Sequence, residues 1–104
     1  MVFTAVVARV LAVHPEDEEA RMLRAPALRT AGQCYAFAPG ADLMVKLPST
    51  RVDELVGSGS GLPCAPRGGR PMREWVRIPA PDEETGLAYV LEARAFVRGA
   101  VPPA

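Results

Sequence analysis

Phe3, Val6, Val7, Val10 and Val13 recur at helical spacing through Val2–Val13, which predicts an amphipathic helix. His14-Pro15 ends it, because the residue before a proline avoids the α region. Glu16, Asp17, Glu18 and Glu19 then read as an acidic, solvated turn. Arg21–Thr30 has strand character interrupted by Pro26, which suits an edge or irregular strand. After the Ala31-Gly32 turn, Gln33–Ala38 alternates large Tyr35 and Phe37 with small Cys34, Ala36 and Ala38, a strand with one bulky face. Pro39-Gly40 turns the chain again. Along Asp42–Leu47, Leu43, Val45 and Leu47 fall on one side and Met44 and Lys46 on the other. Short connections make these strands antiparallel neighbours.

A short helix follows, capped by Ser49 or Thr50, with Val52, Leu55 and Val56 as its apolar stripe and Gly57 as its stop. The Gly/Ser alternation of Gly57–Gly61 predicts the most mobile stretch, and prolines and glycines keep the next loop irregular. Glu74–Ile78 reads as a strand with Val76 and Ile78 opposite Trp75 and Arg77, and Pro79 closes it. Asp82 then caps a last helix, with Glu83 and Glu84 at its positive end. Tyr89, Val90, Ala93, Phe96 and Val97 form its stripe, Arg94 and Arg98 suit the negative end, and Gly99 terminates it. The order α-β-β-β-α-(β)-β-α is satisfied best by an α+β fold with helices on one face of an antiparallel sheet.

Composition narrows the choice without naming a function. The 104 residues have room for one domain with one core, and 49% hydrophobic residues allow it to pack. Lys plus Arg equals Asp plus Glu at 12 each, which removes the charge excess that non-specific nucleic-acid binding rests on. Cys34 and Cys64 lack metal-site spacing and read as ordinary reduced thiols. Met1–Val13 lacks the basic start and small-residue cleavage site of a signal peptide and is too short to span a bilayer, so a cytoplasmic location is expected.

Candidate chemistry is sparse. His14 is the lone histidine, beside Pro15 and far in sequence from both thiols, and reads as solvated or capping. The acidic runs Asp17–Glu19 and Asp82–Glu84 occupy turn and helix-start contexts without a calcium-loop pattern, so no metal, cofactor or catalytic set is expected. Arg67-Gly68-Gly69-Arg70, with Arg73, could converge on an anion but lacks the Gly-Lys-Ser/Thr ending of a phosphate loop. Together with Lys46, Trp75 and Arg77 these arginines form the candidate interaction surface, with a modest anion or nucleic-acid patch as one reading. Burial is the expectation for Trp75, since a large aromatic contributes most when desolvated. The first helix, with Arg9 its only charge, is apolar nearly all round, which predicts two-fold self-association through it.

Several motifs resemble the N-terminal domain of the TfoX/Sxy family. They are Arg21-Met22-Leu23, Pro26-Ala27-Leu28, Gly32, Phe37-Ala38, Lys46-Leu47-Pro48 and the run Arg70 through Pro79, R-P-M-R-E-W-V-R-I-P. Arg24 and Ala25 stand where the family has a glycine-containing start, and Cys34 where a lysine or apolar residue is usual. The likeness extends over roughly Arg21 to Arg98, and the family's helical C-terminal domain has no counterpart in it. It implies a stand-alone, two-layer α-β(3)-α-β(2)-α domain over residues 1–104, of cytoplasmic bacterial origin. It also implies a non-enzymatic regulatory or protein-interaction role. The alternative is a nucleic-acid-binding protein using the Arg67–Arg73 loop.

Overall fold

In the computed structural model of the protein, described over residues 3–65 and 71–100, helix α1 runs from Phe3 to Val13. Phe3, Val6, Val7 and Val10 are buried, as their spacing requires, leaving Thr4, Ala8, Arg9, Ala12 and Val13 outside. Strands β1 (Glu18–Met22), β2 (Ala25–Thr30), β3 (Gln33–Phe37) and β4 (Leu43–Lys46) follow. Helix α2 (Ser49–Ser58), the short β5 (Leu62–Pro63), β6 (Trp75–Ile78) and helix α3 (Glu83–Ala100) complete the order. The strands form one antiparallel sheet in the order β1-β2-β3-β4-β6-β5. The helices pack on one face of it, around Leu28, Leu43, Val45, Leu47, Val76 and Ile78.

The α+β class and its one-sided helices agree with the sequence pattern, but there are four strands between α1 and α2. What reads as one strand broken at Pro26 is a hairpin. The chain reverses at Leu23 and Arg24, both left-handed (φ 51° and 66°), and runs back beside itself with Met22 opposite Ala25. The acidic turn likewise dissolves. Glu18 and Glu19 begin β1, and Asp17 is buried. Pro26 occupies an interior strand because its carbonyl still accepts from the Ala38 N–H (3.0 Å), and its missing donor falls where β3 has ended.

Tyr35 and Phe37 do not share a face. The β2–β3 register passes from Arg29 opposite Cys34 to Leu28 opposite Ala36, leaving Tyr35 as the extra residue of a bulge. The bulge turns Tyr35 and Ala36 toward the helices and Phe37 to the other side. Helix ends also differ from expectation. Pro48, with no side-chain hydrogen bond, takes the cap position of α2. The helix runs through Gly57 and ends where left-handed Gly59 (φ 81°) donates its N–H to the Val56 carbonyl. Gly99 lies inside α3, whereas Asp82 caps that helix as expected, accepting from the Thr85 N–H at 2.7 Å.

Gly61 is wedged between α2 and β6. A Cβ there would meet Val76 Cγ2 at 2.6 Å and the Arg77 carbonyl at 3.4 Å. Gly61→Ala is therefore expected to cost about 1–3 kcal/mol in denaturant unfolding. Gly57→Ala, a helical site with nothing within 4 Å, should cost nothing. No helix among the described residues is long and apolar enough to cross a membrane.

Candidate interaction face

The sheet face turned away from the helices carries its own apolar cluster. Alternation along each strand projects Ala25 and Ala27 of β2, Phe37 of β3, Met44 of β4 and Trp75 of β6 to this side. Cys64 and Met72 join them, held together by the Met72 N–H donating to the Cys64 carbonyl at 2.8 Å. The Phe37 and Trp75 rings meet edge to face, 5.3 Å apart at 64°. Trp75 is 7% exposed and Phe37 1%, so both rings are interior groups of this cluster.

Beside the cluster lies a groove of about 890 Å³. Half-buried Met44 faces it, with the buried Phe37 and Cys64 as its floor. Leu23 and Arg24 reach it from the hairpin tip, and Arg77 and Asp42 add charge. Asp42 is anchored. It accepts from the Ala80 N–H at 3.0 Å and from the Arg77 guanidinium. The backbone bond first, and Arg77 second, hold its carboxyl below the usual range. Left-handed backbone is costly for residues with a Cβ, and Leu23 is 44% exposed on top of that. The hairpin tip thus presents an unburied leucine and an arginine beside a groove of mixed polar and apolar lining.

The candidate surface read from the sequence is split by the fold. Lys46, Arg73 and Trp75 line a second, shallow depression of about 440 Å³ with Met72 and Glu74, whereas Arg77 belongs to the larger groove. Lys46 lies opposite Trp75 in the β4–β6 register, with Nζ 5.9 Å from the ring centroid and 3.8 Å from the Glu74 carboxylate. Arg73 is exposed, and Arg67 and Arg70 lie outside the described residues. The Leu23-Arg24 tip was not among the candidates, because neither residue type signals a left-handed turn.

On the helix side, polar groups concentrate at one buried point. Asp17, its side chain 0% exposed, accepts from Arg94 Nε (2.7 Å) and the Tyr35 hydroxyl (2.7 Å). Arg94 also donates to Glu16 (2.9 Å), and Arg98 to the buried Thr30 hydroxyl (2.8 Å). Burial pushes the Asp17 carboxyl up, but hydrogen bonds from Arg94, Thr30 and Tyr35 outweigh it and hold the carboxyl below the usual range. This network ties the α1–β1 connection to β3 and α3, and every group in it has a structural partner.

His14 stands at the margin of that network, with Nδ1 3.9 Å from Glu16, while both thiols pack with the opposite face. Cys34 and Cys64 are free, and burial pushes the Cys64 thiol up, away from the reactive thiolate form. Among the described residues no three side chains of metal-ligating type cluster. Comparison with protein-family models, with curated proteins and with solved structures found no match.

Proposed function

We propose that the protein is a non-enzymatic regulatory or protein-interaction module of the TfoX N-terminal kind, its partner a protein that docks on the helix-free sheet face. The observation that carries this reading is the groove of about 890 Å³, where half-buried Met44, over a floor of Phe37 and Cys64, meets a rim bearing the exposed Leu23, Arg24 and Arg77. Protein interfaces are built this way, with an apolar centre inside a polar margin. The sequence motifs extend the proposal to a cytoplasmic bacterial setting. The nucleic-acid alternative draws less support. Lys46 and Arg77 already have carboxylate partners in Glu74 and Asp42, and the aromatic rings are buried where stacking on bases needs them open.

Affinity capture from native cytoplasm, read by mass spectrometry, tests the reading against the Leu23→Asp variant. That change removes the exposed apolar tip with a residue that tolerates left-handed backbone. A protein captured by the native chain, retained after nuclease treatment and reduced at least about tenfold by Leu23→Asp is the expected outcome, a loss on the scale of one interface anchor. Capture that disappears with nuclease, or that ignores Leu23→Asp, counts against it.

A further inference from the structure

We propose that two copies of this chain join through the outer edge of β1, about a two-fold axis at Ala20, into one continuous antiparallel sheet. The inference is independent of the partner proposed for the helix-free face. Among the described residues β1 is the last strand of the sheet and pairs only with β2. Which backbone groups it leaves unpaired follows from the hairpin. Pro26 directs its carbonyl to Ala38, away from β1, so Pro26 and the opposing Arg21 are not a hydrogen-bonded pair. Alternation then turns the N–H and C=O of Ala20 and Met22 toward β2, and those of Glu19 and Arg21 outward.

With the axis at Ala20, Glu19 of one copy lies opposite Arg21 of the other, and Arg21 opposite Glu19. These are the residues whose backbone groups point outward, so each opposing pair exchanges main-chain hydrogen bonds and places opposite charges side by side. Both side chains are exposed, and Glu19 has no ion-pair partner of its own among the described residues. At the axis itself the side chain is the small Ala20.

The same residues reject other registers. An axis at Glu19 sets that carboxylate against its own copy, and an axis at Arg21 does the same to the guanidinium. Charged side chains on an edge strand usually keep foreign strands away. Here they do so while admitting a second copy in one register. Beside this edge, on the helix side, the exposed Thr4 and Pro26 stand over the buried Phe3 and Val7 in a shallow groove of about 430 Å³ that also borders Glu19 and Arg21. Self-association thus runs along β1 and the flank of α1, and does not need the outward residues of α1 as its main contact.

Charge exchange tests this by sedimentation equilibrium, with circular dichroism to confirm folding. The native chain should be dimeric at about 10–100 µM. Glu19→Arg and Arg21→Glu should each weaken the dimer at least about tenfold, because each sets two like-charged pairs in place of two complementary ones. The double variant Glu19→Arg/Arg21→Glu should regain it, and so should an equimolar mixture of the two single variants, whose strands are complementary only to each other. A native chain that stays monomeric at about 100 µM overturns the proposal. A dimer indifferent to both single changes also overturns it and moves the contact to another surface. So does a mixture that fails to associate.

Discussion

Replacing Asp17 by Ala is expected to lower folding stability by about 3–5 kcal/mol and Tm by more than about 10 °C, the largest effect of any single polar substitution in this chain. The side chain is completely enclosed, and its removal strands the Arg94 guanidinium, itself 10% exposed, without its main counter-ion. It also leaves the buried Tyr35 hydroxyl without its acceptor, and an unsatisfied buried donor carries a penalty of its own. Among the described residues Glu16 is the one remaining carboxylate on Arg94, and at 55% exposed it is too well solvated to compensate. Denaturant unfolding of Asp17→Ala, with Asp17→Asn as the shape-preserving companion, measures the effect. A loss below about 1 kcal/mol would reduce the network to a surface ion pair.

The same group sets the acid limb of stability. Its folded pKa lies below the ordinary carboxyl value of about 3.8, so its contribution is complete above that value and is lost as the pH falls through the folded pKa. Tyr35 acts at the other end. Burial first, and the hydrogen bond to Asp17 second, raise its pKa above the ordinary value of about 10. The phenol's contribution is therefore present below pH 10 and declines above it, as the unfolded chain ionises and the folded chain does not. In the pH profile of unfolding, Asp17→Asn should flatten the acid limb.

The Asp17–Arg94 pair also shows where sequence pattern stops being legible. Helix stripes, the alternation of β4 and β6 and the Asp82 cap follow from local periodicity, which the fold obeys. Asp17 fails because an acidic run looks solvated from any local window, and only a partner on α3, distant in sequence, makes burial tolerable. One signal was present. Arg94 lies on the apolar stripe of α3, one turn after Val90 and beside Ala93, and a charge on a buried stripe implies a buried counter-charge. The Tyr35 bulge and the Leu23-Arg24 reversal leave no such trace, since both are set by the pairing of neighbouring strands and neither uses a glycine. The candidate face was half legible for the same reason. Lys46 and Trp75 come together through strand register, whereas the groove needs the hairpin tip.

Replacing Trp75 by Ala is expected to cost about 3–5 kcal/mol, the range for truncating a large buried aromatic. The indole fills the centre of the helix-free face, edge to face with Phe37 and packed with Cys64 and Met72, so its loss opens a cavity in a cluster with few other large side chains. Part of the cost, about 0.5–1.5 kcal/mol, belongs to the ring pair alone. Trp75→Phe, which keeps a ring, should recover more than half of the loss. Because this is the sole tryptophan, unfolding must be followed by far-ultraviolet circular dichroism, with indole fluorescence reserved for the native chain, where emission should be shifted to the blue of the unfolded state. The outcome bears on function as well as stability. If Trp75 were itself an exposed docking residue, its truncation would leave stability within about 0.5 kcal/mol and act on partner capture alone. A large loss instead assigns it to the support beneath the groove, and leaves Leu23 and Arg24, which stand outside that support, as the residues at which the proposed docking is to be tested.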